Sequence, residues 1–190
     1  MAARALQGRS LTDGELIAQS STTPDAFHEL FDRHFKTVYR YLARRVGRDR
    51  ADDLASDTFT VAFTRRATFR TDATDARPWL LGIATNLLLN ERRAEQRSLE
   101  AVDRLRAQPM PAVAELADDV LDHEVAAALA ELDPDQRNVL PLFAFGELPY
   151  EEIALALTIP VGTVRSRMSR ARSHLRRRLD PSVRPRRTPT

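Results

Sequence analysis

A run of arginines near the C-terminal end of the chain is the part of the sequence best suited to bind a nucleic acid. No acidic residue interrupts the run, whose members are Arg165, Arg167, Arg170, Arg172, Arg176, Arg177 and Arg178. A guanidinium group stays charged and can bind a guanine edge or a phosphate through two hydrogen bonds. Apolar residues recur every three or four positions from Val164 to Leu179, so the segment is predicted to be one amphipathic helix with a basic outer surface.

The residues before this helix have the spacing of a helix-turn-helix. Tyr150 to Leu157 predicts a short helix, residues 158–160 a turn, and residues 161–179 the second helix. In such a motif the second helix enters the major groove, and free amides near Gly162 and Thr163 can hold a phosphate. Neutralising roughly four phosphates would make log K fall with log salt at a slope of about −3.6. The alternative is an ordinary helix whose arginines face solvent.

The acidic residues that oppose these arginines lie just upstream. Residues 113–135 contain no Lys or Arg, and their acids are Glu115, Asp118, Asp119, Asp122, Glu124, Glu131, Asp133 and Asp135. Because an acidic surface repels DNA, we expect this one to point away from DNA or toward a basic partner. Opposed stretches of this kind explain how 29 Lys+Arg and 27 Asp+Glu leave a formal net charge of only +2.

Apolar spacing predicts helices along the rest of the chain, so the fold class is all-α. The six glycines and the scarcity of alternating β-branched stretches argue against a sheet. Besides the helix-turn-helix, helices are predicted at residues 24–46, 49 to about 68, 78 to about 97, 118–132 and 134–145. Thr23 would cap the first and Asp49 the second, while the last would begin with a capping box at residues 133–136 and kink at Pro141.

Two small helical domains joined by a flexible linker are predicted. The sequence around Pro109 and Pro111 is weakly patterned, and proline cannot continue a helix. The predicted parts are an N-terminal extension at residues 1–23, a first domain at 24–97, the linker at 98–117, a second domain at 118–179 and a basic disordered tail at 180–190.

The composition excludes several kinds of reactive site. There is no Cys, which rules out disulfides, thiolate zinc sites and Cys nucleophiles. No Gly-rich phosphate loop, nucleophile elbow or paired-His zinc motif occurs, so we expect no catalysis, no cofactor and no metal. His34 lies on the apolar stripe of its helix and is expected to be a hydrogen-bonded core histidine. Neither an 18-residue apolar stretch nor a secretory signal is present, which predicts a cytoplasmic protein.

Three motifs of the second domain closely resemble region 4 of the extracytoplasmic-function sigma factors. They are LDPDQR at residues 132–137, YEEIA at 150–154, and PVGTVRSR followed by SRAR at 160–172. The resemblance implies that this domain binds the −35 promoter element. It implies base or phosphate contacts at Thr163, Arg165, Ser166, Arg167, Ser169 and Arg170.

The first domain contains DDLASDTF at residues 52–59, followed by Ala62-Phe63, which resembles region 2.2 of the same family. The resemblance implies docking on the clamp helices of core RNA polymerase through Asp53, Leu54, Ser56 and Asp57. The polar members would share one side of a helix and accept bonds from basic residues. Alternatively, these acids only stabilise the positive end of their helix. The family's usual Gln-Glu pair is Ser56-Asp57 here, so both side chains are shorter.

RPWLLGIATN at residues 77–86, continuing to NERR at 90–93, resembles regions 2.3 and 2.4 of the family. The resemblance implies binding of the −10 element and of its opened strand, with residues 70–76 as a specificity loop. The implied contacts are Arg70, Asp72, Asp75, Arg77, Trp79, Asn86, Asn90 and Arg93. Trp79 can also be a core anchor. Gly82 and Thr85 stand where the family often has arginine, which predicts weaker phosphate contact on this helix.

Together these resemblances imply an alternative sigma factor whose partners are core RNA polymerase, promoter DNA and an anti-sigma factor. One alternative is a sigma-like decoy that sequesters an anti-sigma factor, which the retained recognition-helix arginines disfavour. Another is a helix-turn-helix regulator that never replaces sigma, which the region 2 motifs disfavour. Two residues near the turn depart from the family, since Pro149 replaces the usual capping serine and Thr158 the usual glycine. A left-handed Thr158 would strain the turn.

Overall fold

The computed structural model describes residues 10–103 and 123–179, and all regular structure in these two ranges is helical. The elements in chain order are α1 (Asp13–Gln19), α2 (Ala26–Val46), α3 (Arg48–Thr64), a short 3₁₀ turn (Arg66–Thr68), α4 (Arg77–Asp103), α5 (His123–Ala130), α6 (Pro134–Ala144), α7 (Tyr150–Leu157) and α8 (Val161–Leu179). The predicted all-α class is confirmed. None of these helices has the length and apolar character needed to cross a bilayer. The predicted tail and most of the predicted linker lie outside the described residues.

Helices α2, α3 and α4 pack together because each carries apolar residues at helical spacing. The predicted stripe of α2 is confirmed, with Phe27, Leu30, Val38, Tyr41 and Leu42 buried and Phe31 and His34 half-buried. These side chains meet Leu54, Ala55 and Phe59 of α3 and Leu80, Ala84 and Leu88 of α4 in one core. Burying this apolar area is the main force that holds the three helices together.

Several predicted helix ends differ from the structure. Helix α2 begins at Ala26 and has no side-chain cap; Asp25 is already helical, and Thr23 instead donates its backbone N–H to Gln19 at the end of α1 (2.9 Å). Helix α3 begins directly after Gly47, whose φ of 80° makes the sharp turn, so Asp49 lies inside the first turn and does not cap. Helix α4 continues to Asp103, past the predicted start of the linker at residue 98.

The predicted N-terminal extension contains helix α1, which the periodicity did not indicate. A capping box between Thr12 and Glu15 begins the helix. Its first residue, Asp13, is only 5% exposed and accepts hydrogen bonds from His34 Nε2 (2.6 Å), the Ala76 backbone N–H (2.8 Å) and Arg33 Nη1 (3.2 Å). The expectation that His34 is a hydrogen-bonded histidine is confirmed.

The Asp13 carboxylate ties α1 to α2 and to the loop before α4. Burial raises the pKa of Asp13, but the bonds from His34, Ala76 and Arg33 outweigh it and hold the pKa below its ordinary value of 3.8. Gly14 lies so close to this loop that a Cβ atom on it would stand 2.6 Å from the Ala73 carbonyl oxygen. Helix α1 therefore supports the predicted specificity loop from beneath.

Helices α6, α7 and α8 begin at the residues that the sequence predicts. Asp133 is the N-cap of α6, but the predicted capping box is absent, because the Gln136 side-chain amide donates to the Asp133 carboxylate (3.0 Å) and leaves no side-chain bond to the backbone. Pro141 lies inside α6, which ends at Ala144. The kink at Pro141 stays a prediction.

The helix-turn-helix is formed by α7 and α8. Val164, Met168 and Ala171 of α8 are buried, as the predicted stripe requires. The turn begins at Thr158, whose φ of 54° and ψ of 46° place it in the left-handed region. Pro149 precedes α7 and makes no side-chain cap. Both departures from the family pattern therefore fall at the ends of α7, but only Thr158 has a backbone geometry that disfavours the residue present, since the φ of −66° at Pro149 suits proline.

Replacing Thr158 with glycine is expected to raise the free energy of unfolding by about 0.5–1 kcal/mol, because a left-handed residue with a Cβ atom costs roughly 1–2 kcal/mol and the freer unfolded glycine cancels part of the gain. The melting temperature should rise by about 1–4 °C. Thr158→Ala keeps the Cβ atom and is the control, for which we expect a smaller effect. A melting temperature of Thr158→Gly at or below that of the parent chain would contradict the prediction.

Asp13→Asn is expected to lower the free energy of unfolding by about 1–3 kcal/mol near neutral pH, because buried donors lose a charged acceptor. Since the folded-state pKa lies below 3.8, the carboxylate contributes fully above that value and loses its contribution as the pH falls through the folded-state pKa. Denaturant unfolding at about pH 6 and about pH 3 should therefore show the difference between parent and variant shrinking in acid. Asp52→Asn, at an exposed position, should change little at either pH. A difference that is constant with pH would contradict this account.

Candidate nucleic-acid interface

The outer face of α8 presents four of the residues predicted to contact the −35 element. Arg165, Ser166, Ser169 and Arg170 are all exposed and lie at spacings of one, four and five along the helix, which puts them on one side. Arg165 Nη2 is 3.6 Å from Glu151, and both side chains are 66% exposed, so this ion pair is weak and easily exchanged. Thr163 is half-buried, and its carbonyl oxygen accepts a bond from Ser166 (3.0 Å).

Other arginines of the same helix bind groups within the domain. Arg167 is mostly buried, with its side chain 21% exposed, and donates to the Asp135 carboxylate at 2.6 Å. Arg172 places its guanidinium over the rings of Phe143 and Tyr150, at 5.2 and 5.9 Å from the centroids. The arginine run thus divides into residues that face solvent and residues that hold α8 against α6 and α7.

Two of the upstream acids lie against α8, which differs from the expected separate acidic face. Glu131 accepts a bond from Arg178 Nε (2.9 Å) and lies 3.5 Å from His174, while Asp135 binds Arg167. The physical reason is that α5 and α6 both pack on α8, which brings their ends beside its arginines. The bond from Arg178 holds the pKa of Glu131 below its ordinary value. The predicted acids at residues 115–122 lie outside the described residues.

Helix α3 presents the predicted polymerase-binding residues on its exposed side. Asp53, Ser56 and Asp57 are exposed, and within residues 10–103 and 123–179 neither carboxylate has an ion-pair partner. Leu54 is only 6% exposed and packs in the core, so it supports this face from within, and a direct contact of Leu54 with a partner stays a prediction. Burial of an apolar side chain between α3 and α2 removes its surface from water and stabilises the fold.

The predicted specificity loop holds its own charges in pairs. Arg70 donates to Asp72 at 2.7 Å, and this bond lowers the pKa of Asp72 and raises that of Arg70. Asp75 accepts the backbone N–H of Arg77 at 2.7 Å and so helps to start α4. Its carboxylate also lies within 4.8 Å of Asp13 and His34, but hydrogen bonds already satisfy that group. A base that binds Arg70 or Asp72 would have to replace the hydrogen bond between these two exposed side chains.

Four predicted −10 contacts form a line along α4. Trp79, Asn86, Asn90 and Arg93 are separated by seven, four and three residues, so they share one face of the helix. Asn86, Asn90 and Arg93 are exposed. The half-buried indole of Trp79 packs on Phe69, with 5.0 Å between the ring centroids, which is the expected core anchor. Its exposed part continues the line of polar residues.

The two predicted domains share one hydrophobic core, which sequence reasoning missed. Helix α7 packs against α4, and the buried cluster runs from α2 through α4 to α6, α7 and α8. Arg77 of α4 lies 3.8 Å from Glu152 of α7. Arg44 of α2 lies over the ring of Phe145, 5.5 Å from its centroid. Gly82 marks this contact, because a Cβ atom there would lie 3.1 Å from the Cα atom of Ala156, although from sequence alone it predicts only weaker phosphate contact.

Comparison with known proteins places these surfaces in a family. Residues 30–98 match the family model of Sigma-70 region 2, and residues 122–175 match that of Sigma-70, region 4. The ECF RNA polymerase sigma factor SigE of Mycolicibacterium smegmatis is 34% identical over 157 residues, covering 80% of this chain and 60% of that protein. The chain thus spans less than two thirds of the length of this relative.

A second relative and a solved structure agree. The ECF RNA polymerase sigma factor EcfG of Rhodopseudomonas palustris is 33% identical over 127 residues, covering 67% of this chain and 70% of that protein. The structure of CnrH in complex with the cytosolic domain of CnrY superimposes with a TM-score of 0.62 at 29% identity, covering 88% of this chain and 97% of CnrH. Both halves of the chain therefore match one kind of protein, and the chain belongs to the extracytoplasmic-function family of RNA polymerase sigma factors.

Proposed function

We propose that this chain is an alternative sigma factor that binds core RNA polymerase in the cytoplasm and directs initiation at promoters with matching −10 and −35 elements. It carries out no covalent chemistry and acts by selecting where the polymerase opens DNA. The observation that carries the proposal is that one chain presents an exposed polar face on each of three helices, α3, α4 and α8, inside the two matched regions.

Helix α3 is the proposed polymerase contact. The exposed carboxylates of Asp53 and Asp57, with the hydroxyl of Ser56 between them, offer acceptors to a basic surface. These carboxylates form no ion pair with the described residues. Polymerase could therefore bind them without first breaking an ion pair within the chain. Leu54 supports this face from within the core.

Helix α4 and the loop before it form the proposed −10 contact. Opening of a duplex is favoured by any surface that binds unpaired bases better than paired ones. Asn86 and Asn90 offer amide donors and acceptors to base edges, and Arg93 offers charge to the backbone of the opened strand. The exposed loop residues Arg70 and Asp72 contribute selectivity by exchanging their mutual bond for bonds to a base.

Helix α8 is the proposed −35 contact. Arg165 and Arg170 reach base edges or adjacent phosphates, and Ser166 and Ser169 add short hydroxyl contacts. The start of the helix at Gly162 can hold a phosphate, whereas the Thr163 backbone N–H already donates to the Pro160 carbonyl oxygen (2.9 Å). Arg167 acts mainly through Asp135, by fixing the orientation of α8. Two moderate contacts on one molecule raise the overall affinity because binding of the first element raises the effective concentration of the second.

A protein partner that restrains this chain is part of the proposal. The family resemblance implies an anti-sigma factor, and CnrH, to which this chain is similar, was solved with the cytosolic domain of CnrY bound. The decoy alternative predicts loss of the DNA-facing arginines, yet Arg165 and Arg170 remain exposed. The regulator alternative leaves the exposed acids of α3 without a role.

Run-off transcription with purified core polymerase tests the function. Templates are selected from a library with randomised sequence upstream of a reporter, and core alone is the control. We expect core plus this chain to start transcripts from a narrow set of templates that core alone leaves silent. If no such set emerges, the sigma assignment fails. Binding of the chain to an anti-sigma factor, without transcription, would favour the decoy.

Arg165→Ala combined with Arg170→Ala is expected to weaken binding of the chain–core complex to a selected promoter about tenfold or more, because each good base contact contributes roughly 1–3 kcal/mol. The dependence of log K on log salt should also become shallower by about 1–2 units of slope. Fluorescence anisotropy of a labelled promoter fragment measures both quantities. Arg40→Ala with Arg48→Ala removes the same charge from exposed positions elsewhere and is the control. An equal loss in the control would show that the effect is only one of net charge.

Asp53→Asn combined with Asp57→Asn is expected to weaken binding to core polymerase roughly tenfold, since charge-assisted bonds at a protein interface contribute more than exposed ion pairs. Titration of labelled chain with core gives the affinity. Asp25→Asn with Asp32→Asn makes the same charge change at exposed positions near the start of α2 and should leave binding unchanged. Unaltered core affinity in the α3 variant, with circular dichroism showing a folded chain, would remove α3 from the interface.

A further inference from the structure

The short helix α1 contacts the backbone of the predicted specificity loop at several points. The Asp13 backbone N–H donates to the Thr74 carbonyl oxygen (3.4 Å), and the Asp13 carboxylate accepts the Ala76 backbone N–H (2.8 Å). A Cβ atom on Gly14 would stand 3.0 Å from the carbonyl carbon of Thr71. The start of α1 therefore meets the loop near its beginning, in its middle and at its end.

The close approach at Gly14 leaves no room for a side chain. Besides the contact with Thr71, a Cβ atom there would stand 2.6 Å from the Ala73 carbonyl oxygen, which is well inside van der Waals contact. The atoms that meet are backbone atoms, so a side chain at residue 14 would have to displace the loop or the helix. Glycine weakens a helix relative to alanine, so the glycine within α1 is explained by this approach and not by helix formation.

Helix α1 is in turn held by α2. The Arg33 guanidinium donates to the Leu11 carbonyl oxygen (2.7 Å) and to Ser10 Oγ (2.8 Å), just before α1 begins. The apolar side of α1 is covered as well, since Leu16 and Ile17 are both buried. The loop is therefore fixed to the helical bundle through α1, and not only through its own two ends.

The opposite side of the loop carries the groups that can meet a base. The side chains of Arg70 and Asp72 are both exposed, while the backbone between and after them contacts α1. Groups that discriminate between ligands have to be held within roughly 0.5 Å of the productive geometry. A loop without such support samples many backbone conformations. A shift of the backbone against α1 would therefore move the groups that face DNA.

We propose that α1 takes part in promoter selection, and that Asp13 and Gly14 are positioning residues that hold the loop in the shape with which it selects −10 sequences. Both residues are buried, so they act on DNA only through the loop. This inference rests on the proposed function. A purely structural role would lower activity at all promoters alike, whereas a positioning role changes the preference among −10 sequences.

Competition between promoters in one reaction tests this role. The complex of full-length chain and core polymerase transcribes two pools of barcoded templates, one with a randomised −10 element and one with a randomised −35 element. Gly14→Ala and Asp13→Asn should each change the relative use of −10 sequences by about fivefold or more, because a good base contact discriminates by at least about that factor. The ranking of −35 sequences should stay unchanged. Rankings within one pool do not depend on how much of the chain is folded.

Two further variants separate positioning from stability. Val46→Ala truncates a buried core residue of α2 about 18 Å along the helix from His34, where α2 contacts α1, and should leave both rankings unchanged. Arg33→Gln loosens α1 from its other side and should change the −10 ranking to a smaller extent than Gly14→Ala. The Arg33 variant keeps the test decisive if Gly14→Ala does not fold, which circular dichroism reports for each chain.

Hydrogen exchange in the free full-length chain reports on the loop without polymerase. Asp13→Asn and Gly14→Ala should speed the exchange of the amides of residues 70–77 several-fold, because the loop opens locally more often. Unchanged exchange, an unchanged −10 ranking, or equal changes in the −10 and −35 rankings would each overturn the proposal. If the parent chain starts no transcripts, the proposed function fails instead, while the exchange measurement still reports whether α1 holds the loop.

Discussion

Helix α4 is buried on almost every side near its start, and the arrangement of the whole molecule depends on this burial. Residues 80–85 are all buried. A helix that packs on one neighbour instead exposes the residues on its opposite face in every turn. Leu80, Ala84 and Leu88 face the bundle of α2 and α3, while Leu81 and Gly82 face the helix-turn-helix. The line from Asn86 to Arg93 is exposed and remains accessible to a ligand. One helix therefore joins the two matched regions and also carries the proposed −10 contacts.

Local periodicity was enough to predict the fold class, the buried stripe of α2 and the two helices of the helix-turn-helix. These features depend on residues three or four positions apart, which the sequence displays directly. The end of α4 was not predicted, because polar residues from Arg92 onward continue the helix without an apolar pattern. Helix α1 was missed for a similar reason: it is short, and its capping signal at Thr12 and Glu15 lies before a segment with little periodicity.

The sequence predicts which residues form the candidate site, but not which of them bind other residues within the protein. Sequence alone placed Arg165 and Arg170 on an exposed face, which the structure agrees with. It could not separate them from Arg167 and Arg172, because the partners Asp135 and Phe143 come from another helix. Leu54 shows the same limit, since a motif match does not say which side of a helix is buried. Gly82 is the clearest case. Its lack of a side chain allows Ala156 of α7 to pack closely against α4, and the local sequence does not show which residue packs there.

The apolar surface between α4 and α7 has a consequence for the lifetime of the protein. If α7 left α4, Leu81, which is fully buried beside Gly146, would lose part of its cover. Newly exposed apolar patches promote aggregation, and locally opened segments are the places where proteases cut. Loss of this packing would therefore shorten the lifetime of the folded protein.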